Sequence, residues 1–197
     1  AEVRAILPTL LKVVIKLAAQ NSEYQFVLPR ANSIDAKWLN EQLAQQNVPI
    51  TVTDTDRYLS MQACDIAIAA SGTVTLELAL LEKPMIIVYK GNSLVFWLAK
   101  KLVNLDHAGL PNIIAKAEIV PELLQADFRV DIVLKEVTQL LHDKRRYERQ
   151  KSDLASIHQQ LQSSSKAAAL SELVIKILSG SKEQLLTTRL KRDELRS

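Results

Sequence analysis

Ser71, Gly72, Thr73 and Glu77 form the stretch in which residue types and spacing best suit the capture of a ligand. They follow the apolar run Ile66-Ala67-Ile68-Ala69-Ala70, so the segment reads as the end of a buried strand, a tight Ser-Gly-Thr turn and the first turns of a helix. A helix N-terminus presents unpaired backbone N–H groups and a partial positive charge, and a glycine there lets a phosphate approach the backbone closely. Glu77 falls one helical turn beyond Thr73 on the same face, where a carboxylate can accept hydrogen bonds from a vicinal diol. Phosphate plus diol points to a nucleotide. Local physics leaves two plainer readings open: a strand-to-helix turn with a serine cap, and a solvated helix carboxylate.

Other candidates carry similar pairs of readings. Asn112, after Pro111, is either a turn residue or an amide pointed into a cleft. Glu122 and Gln125 are three residues apart, spaced to reach one ligand from a helix start or to form a cap. Glu82 and Lys83 read as an exposed turn. Phe96 and Trp97, followed by Lys100 and Lys101, belong to an apolar helix with a basic end, which suits a core or the headgroup region of a membrane. The run Lys144-Arg145-Arg146-Tyr147-Glu148-Arg149-Gln150-Lys151 reads as a solvated helix face.

Several chemistries find no support in the chain. There is no serine-histidine-acid set, no Walker loop and no glycine-rich dinucleotide fingerprint, which argues against a nicotinamide enzyme. His107, His142 and His158 lack ligand spacing, and Cys64 is the only cysteine, so neither a metal site nor an internal disulfide is expected. No cofactor is expected either. The formal net charge of +3 favours anionic partners but falls short of a nucleic-acid-binding surface. With no membrane-spanning run and no secretory signal pattern, a cytoplasmic location is the expectation.

The elements that must position these residues are legible in outline. At 197 residues, 48% of them hydrophobic, with 4 glycines and 6 prolines, the chain suits one helix-rich core. Residues 1–20 repeat apolar side chains at helical spacing, opening the chain without a preceding strand, as though something once stood in front. Strands are expected over 25–28, 49–53, 65–70 and 85–89, the last beginning after Pro84. Helices are expected from Asn32 or Ser33 to about Gln46, from a cap among Asp54, Thr55 and Asp56 to about Ala63, and over 73–81. Alternating elements with nearly all-apolar strands imply a doubly wound, Rossmann-like parallel sheet with helices on both faces. Ligands of such sheets bind at the carboxyl ends of strands, where Ser71, Gly72 and Thr73 fall. Residues 110–114 read as a loop and 120–125 as a turn entering a short helix led by Pro121. Beyond Asp131 everything reads as helical, through about 143–161 and 167–178, with a charged helical tail over 179–197.

Five pieces in this order resemble lipid-A-disaccharide synthase. They are Ala69-Ala70-Ser71-Gly72-Thr73-Val74-Thr75-Leu76-Glu77-Leu78-Ala79; Pro84-Met85; Trp97-Leu98-Ala99-Lys100-Lys101-Leu102-Val103; Leu110-Pro111-Asn112; and Val120-Pro121-Glu122-Leu123-Leu124-Gln125. Each is weak alone, but their order and spacing together are specific. The resemblance covers roughly residues 1–178 and corresponds to the carboxyl-terminal, nucleotide-sugar half of a GT-B glycosyltransferase. It implies a peripheral membrane enzyme on the cytoplasmic face of the inner membrane, transferring an acylated glucosamine from UDP to an acylated glucosamine 1-phosphate to form a β-1,6 disaccharide.

By that resemblance Ser71, Gly72 and Thr73 hold the diphosphate, Glu77 the ribose hydroxyls, and Asn112, Glu122 and Gln125 line the donor pocket. Phe96, Trp97, Lys100 and Lys101 become the membrane-facing set. The family's amino-terminal half, with its acceptor surface and catalytic base, and the Gly-Ser-Arg loop expected before residue 1 are absent, so no catalytic residue is assigned and the chain alone is expected to be inactive. The family usually has a small residue where this chain carries Glu82-Lys83, and 182–197 extend past the alignable part. Two other readings stand beside this one: another UDP-sugar transferase or epimerase, and a non-catalytic nucleotide-binding or membrane-docking domain.

Overall fold

Strand β4, Met85–Tyr89, is where two layers of helices meet. Its side chains alternate between faces, as a strand requires. Ile86 and Val88 join Ile6, Val13, Leu17, Val133, Val137 and Leu140 in one apolar cluster. Met85 and Ile87 join Met61, Leu78, Ala79, Val120 and Leu154 in another. All four strand residues are fully buried, which is what a strand covered on both faces demands. Each of these four side chains contributes about 1.5–3 kcal/mol by its removal from water.

The computed structural model describes residues 2–54, 57–91 and 107–162. The chain divides into two units, Ala1–Ile157 and His158–Ser197, and the description below concerns the first. Its order is α1 (Glu2–Gln20), β1 (Phe26–Pro29), α2 (Ala36–Gln46), β2 (Ile50–Thr53), α3 (Arg57–Ala63), β3 (Ala67–Ala70), α4 (Thr73–Leu80), β4, α5 (Leu110–Ala115), β5 (Glu122–Leu124), α6 (Val130–His142) and α7 (Lys144–Gln162), the last running on into the second unit. Thr55 and Asp56 of the expected cap, the helix bearing Phe96, Trp97, Lys100 and Lys101, the helix over 167–178 and the tail over 179–197 lie outside the described residues.

Every strand pairing is parallel, within helical layers, as a Rossmann-like half domain requires. β1 pairs with β2 from Phe26↔Ile50 to Pro29↔Thr53. β4 lies between β3 and β5, in register as Ala70↔Val88 and Val88↔Leu123. Among the described residues the pairing thus falls into a two-stranded and a three-stranded sheet. α1 buries Ile6, Leu7, Leu11, Val13 and Leu17, so one helix serves two clusters: the β4 face and the group it forms with Leu39 of α2.

Two segments differ from expectation. Residues 110–114 form α5 rather than a loop, because Pro111 stands in the first turn, where its missing N–H is no loss. Residues 122–124 form β5 rather than the start of a helix: Pro121 ends just outside the strand, and its carbonyl accepts from Ile87 N–H at 2.9 Å.

Smaller departures have equally local causes. Ala31 to Ile34 close a turn first, through Ile34 N–H to Ala31 O at 2.9 Å, so the cap of α2 is Asp35 instead of Asn32 or Ser33. Its carboxylate accepts from Trp38 N–H at 2.6 Å. Asp143 caps α7, accepting from the N–H groups of Arg145 and Arg146 at 3.0 and 3.1 Å. The basic run on α7 is not wholly a solvated face, since Gln150 is buried and its Oε1 accepts from Met85 N–H at 2.7 Å. Nor is Lys83 merely part of an exposed turn. With Glu82 in the left-handed region (φ 53°), the Lys83 ammonium donates to the carbonyls of Gln62 and Cys64 at 2.6 and 3.0 Å, just where α3 ends.

Candidate functional site

The carboxyl ends of β3, β4 and β5 lie side by side, and the turns leaving them carry most of the residues singled out from the sequence. Ser71 leaves β3 with its N–H still donating to Val88 O at 2.9 Å, so the ladder continues into the turn. Its hydroxyl donates to Ala108 O at 3.1 Å, tying this turn to the segment before α5. Gly72 and Thr73 are exposed at the start of α4. No side chain among the described residues caps this helix, and the Thr75 hydroxyl is turned back onto Gly72 O at 2.7 Å. The Thr75 N–H donates to Gly72 O at 3.2 Å, which leaves the N–H groups of Thr73 and Val74 without a partner among the described residues.

Gly72 is informative because nothing among the described residues demands it. Its φ of 161° is extended backbone, open to any residue. A Cβ built there meets no atom of the described residues within 4 Å. Gly109, ahead of α5, is different: a Cβ would stand 2.3 Å from Ile87 Cδ1 and 3.1 Å from Glu122 Oε1.

Glu77 projects from α4 one turn beyond Thr73, with its side chain 20% exposed. Its Oε1 accepts from the Arg57 guanidinium, on α3, at 2.7 Å. Its Oε2 is buried and has no hydrogen-bond partner among the described residues. A buried carboxylate oxygen left unpaired is unfavourable, so its presence needs a reason beyond folding.

The three residues from the later motifs divide. Asn112 is fully buried, and each of its polar atoms is engaged twice: Nδ2 donates to Val120 O (2.8 Å) and Glu122 Oε1 (2.7 Å), and Oδ1 accepts from the N–H groups of Ile119 (2.9 Å) and Val120 (3.0 Å). Glu122 accepts from Ala108 N–H at 2.7 Å and Gly109 N–H at 2.9 Å, acting as the N-terminal cap that α5 lacks locally. Gln125 stands in the left-handed region (φ 51°) at the end of β5. Its N–H donates to Tyr89 O at 2.8 Å and its Oε1 accepts from Gly91 N–H at 3.5 Å, while Nε2 is buried without a partner. Both orphaned side-chain atoms recorded among the described residues, Glu77 Oε2 and Gln125 Nε2, therefore belong to residues of this site.

Arg57 is the participant that sequence reasoning missed. It is 20 residues from Glu77, on another element, and no local spacing links the two. Its guanidinium carbon stands 5.2 Å from the Tyr58 ring centroid. The neighbouring Tyr58 and the Glu77 carboxylate hold its pKa above the ordinary value. No group of histidine, cysteine and acidic residues among the described residues is arranged to hold a metal ion. No helix of the described residues is long and apolar enough to cross a membrane.

Parallel strands flanked by helices, with a small-residue turn and a carboxylate-bearing helix at their carboxyl ends, define a Rossmann-like half domain. Residues 1–177 match the family described as lipid-A-disaccharide synthetase, and the chain belongs to that family. It is similar to the lipid-A-disaccharide synthase of Nitrosococcus oceani, 34% identical over 180 residues that make up 91% of this chain and 46% of the relative. The corresponding protein of Geobacter sulfurreducens is 34% identical over 177 residues, 90% of this chain and 46% of the relative. That of Trichlorobacter lovleyi is 41% identical over 143 residues, 73% and 37% respectively. The chain thus spans about half the length of the first two of these relatives, 46% in each.

Proposed function

We propose that this chain is the donor-binding half of a lipid-A-disaccharide synthase, gripping the UDP of an acylated glucosamine while a second, amino-terminal half presents the acceptor, an acylated glucosamine 1-phosphate. The observation that carries the reading is Glu77: one oxygen fixed by Arg57, the other buried and unpaired, one turn from the open Gly72-Thr73 start of α4. Ser71, Gly72 and Thr73 take the diphosphate, Glu77 accepts from a ribose hydroxyl, and Gln125 offers Nε2 to the sugar-nucleotide. Asn112 and Glu122 frame the pocket by holding Ala108 and Gly109 in place.

In glycosyl transfer the anomeric C–O bond breaks and negative charge gathers on the departing diphosphate. Backbone N–H groups and a helix N-terminus aimed at that group stabilise the transition state more than the ground state, because the charge they meet grows along the reaction. The general base that deprotonates the acceptor hydroxyl belongs to the other half in this reading. The acylated substrates would bring the enzyme to the cytoplasmic membrane surface, with Phe96, Trp97, Lys100 and Lys101 as the contact.

Calorimetric titration of the 197-residue chain with UDP tests the reading. Saturable binding that weakens on Glu77→Ala, in a variant whose melting temperature is kept, is the expected result. No saturable binding, or binding indifferent to Glu77→Ala, refutes it.

A further inference from the structure

The Arg57–Glu77 pair is built to orient rather than to stabilise. The arginine side chain is 55% exposed, and an ion pair with so exposed a partner contributes little to folding. A glutamate carboxylate turns broadly about its last torsion, so a free one offers its oxygens in no fixed direction. Here the 2.7 Å bond from Arg57 takes Oε1 and leaves Oε2 buried and without a partner. The two residues come from different helices, α3 and α4, so tertiary packing sets the carboxylate's rotation. The Tyr58 ring on α3 lies against the guanidinium, its centroid 5.2 Å from the guanidinium carbon.

We propose that Arg57 is a positioning residue of the nucleotide site, engaging Glu77 Oε1 so that Oε2 is the single acceptor presented to the ligand and the site selects for one ribose hydroxyl. The proposal rests on the donor-site reading and adds to it a specificity device. A carboxylate accepting from both hydroxyls of a diol would use both oxygens, whereas this one has a single oxygen left. The ligand class is a ribonucleoside diphosphate in which one of the two ribose hydroxyls matters and the other does not.

The test is calorimetric titration of the full chain with UDP, 2′-deoxy-UDP and 3′-deoxy-UDP, for the native protein, Arg57→Met and Lys83→Met, each with a melting curve. One deoxy analogue should bind the native protein about tenfold more weakly than UDP, as expected for one hydrogen bond to a charged acceptor, and the other should bind like UDP. In Arg57→Met the affinity for UDP should fall about tenfold towards that of the weaker analogue, whose own affinity stays unchanged. Lys83→Met should lower the melting temperature and keep the hydroxyl preference. Equal loss for UDP and both analogues in Arg57→Met would assign the arginine to the diphosphate and overturn the proposal. An unchanged preference in that variant, or a native protein that needs both hydroxyls equally, would overturn it as well. A native protein that binds no UDP removes the donor-site reading itself, and this proposal with it.

Discussion

Glu122 caps a helix that begins well before it in the chain: its Oε1 accepts from the N–H of Gly109 at 2.9 Å, across 13 residues. The same carboxylate takes Ala108 N–H and Asn112 Nδ2. Strand β5 and helix α5 are therefore fastened by one side chain, and Ala108 in turn holds the Ser71 hydroxyl. Glu122→Ala would leave the α5 N–H groups uncapped and is expected to cost about 1–3 kcal/mol. Urea unfolding with an unchanged slope and a lowered midpoint is the expected signature. If UDP binding is also followed, its loss should track the loss of fold, unlike the Glu77 substitutions; a variant as stable as the native chain would show that Glu122 is not the cap.

The two glycines of this region make opposite predictions. Gly72→Ala adds a methyl group to open space on extended backbone, so stability should stay within about 0.5 kcal/mol or rise slightly. If a phosphate lies against that position, UDP affinity should nonetheless fall at least tenfold. Gly109→Ala drives a methyl group to 2.3 Å from buried Ile87 Cδ1 and should cost about 1–3 kcal/mol as an overpacked core. Melting temperature and UDP titration on both variants check the contrast, which fails if Gly72→Ala binds UDP normally.

How much of this was legible depends on how local the cause is. The apolar run of β4 and the helical repeat of α1 speak for themselves, because a buried strand and an amphipathic helix write their burial into consecutive residues. The Ser71-Gly72-Thr73 turn was legible for the same reason. β5 was not: three residues are too few to display an alternation, and the preceding proline imitates a helix start. α5 was not, because its cap is a side chain 13 residues away rather than a residue at its own N-terminus. Arg57 escaped notice since its partner is on another helix, and Lys83 since a lysine in a turn carries no mark that its ammonium will find two carbonyls.

Lys83 supplies a prediction of that hidden kind. Its ammonium satisfies carbonyls at the carboxyl end of α3, where a cation also meets the negative end of the helix. Lys83→Met keeps the aliphatic stem and removes both bonds, and should destabilise the chain by about 1–2 kcal/mol. Amide hydrogen exchange should speed up across α3 more than across α6. Uniform exchange, or no loss of stability, would return Lys83 to the exposed turn suggested by its neighbours.

Stability should fall on the alkaline side, and the sign follows from three partly buried acids. Burial raises the Cys64 thiol above its ordinary 9.0, with the Lys83 charge opposing. Burial likewise raises the Tyr89 and Tyr147 phenols above 10.0, assisted by the negative charge of Glu2 and of Asp65 respectively. Each group keeps its proton longer in the folded chain than in the unfolded one. Below the unfolded pKa values both states are protonated and the contribution is fully present; as pH rises the unfolded chain ionises first and the contribution is lost. The urea midpoint should therefore hold steady to about pH 8 and decline from there to about pH 11, the thiol acting first and the phenols later. Cys64→Ala should flatten the first part of the decline and leave the later part intact. A midpoint that stays level to pH 11, or a decline indifferent to Cys64→Ala below pH 10, would contradict this assignment.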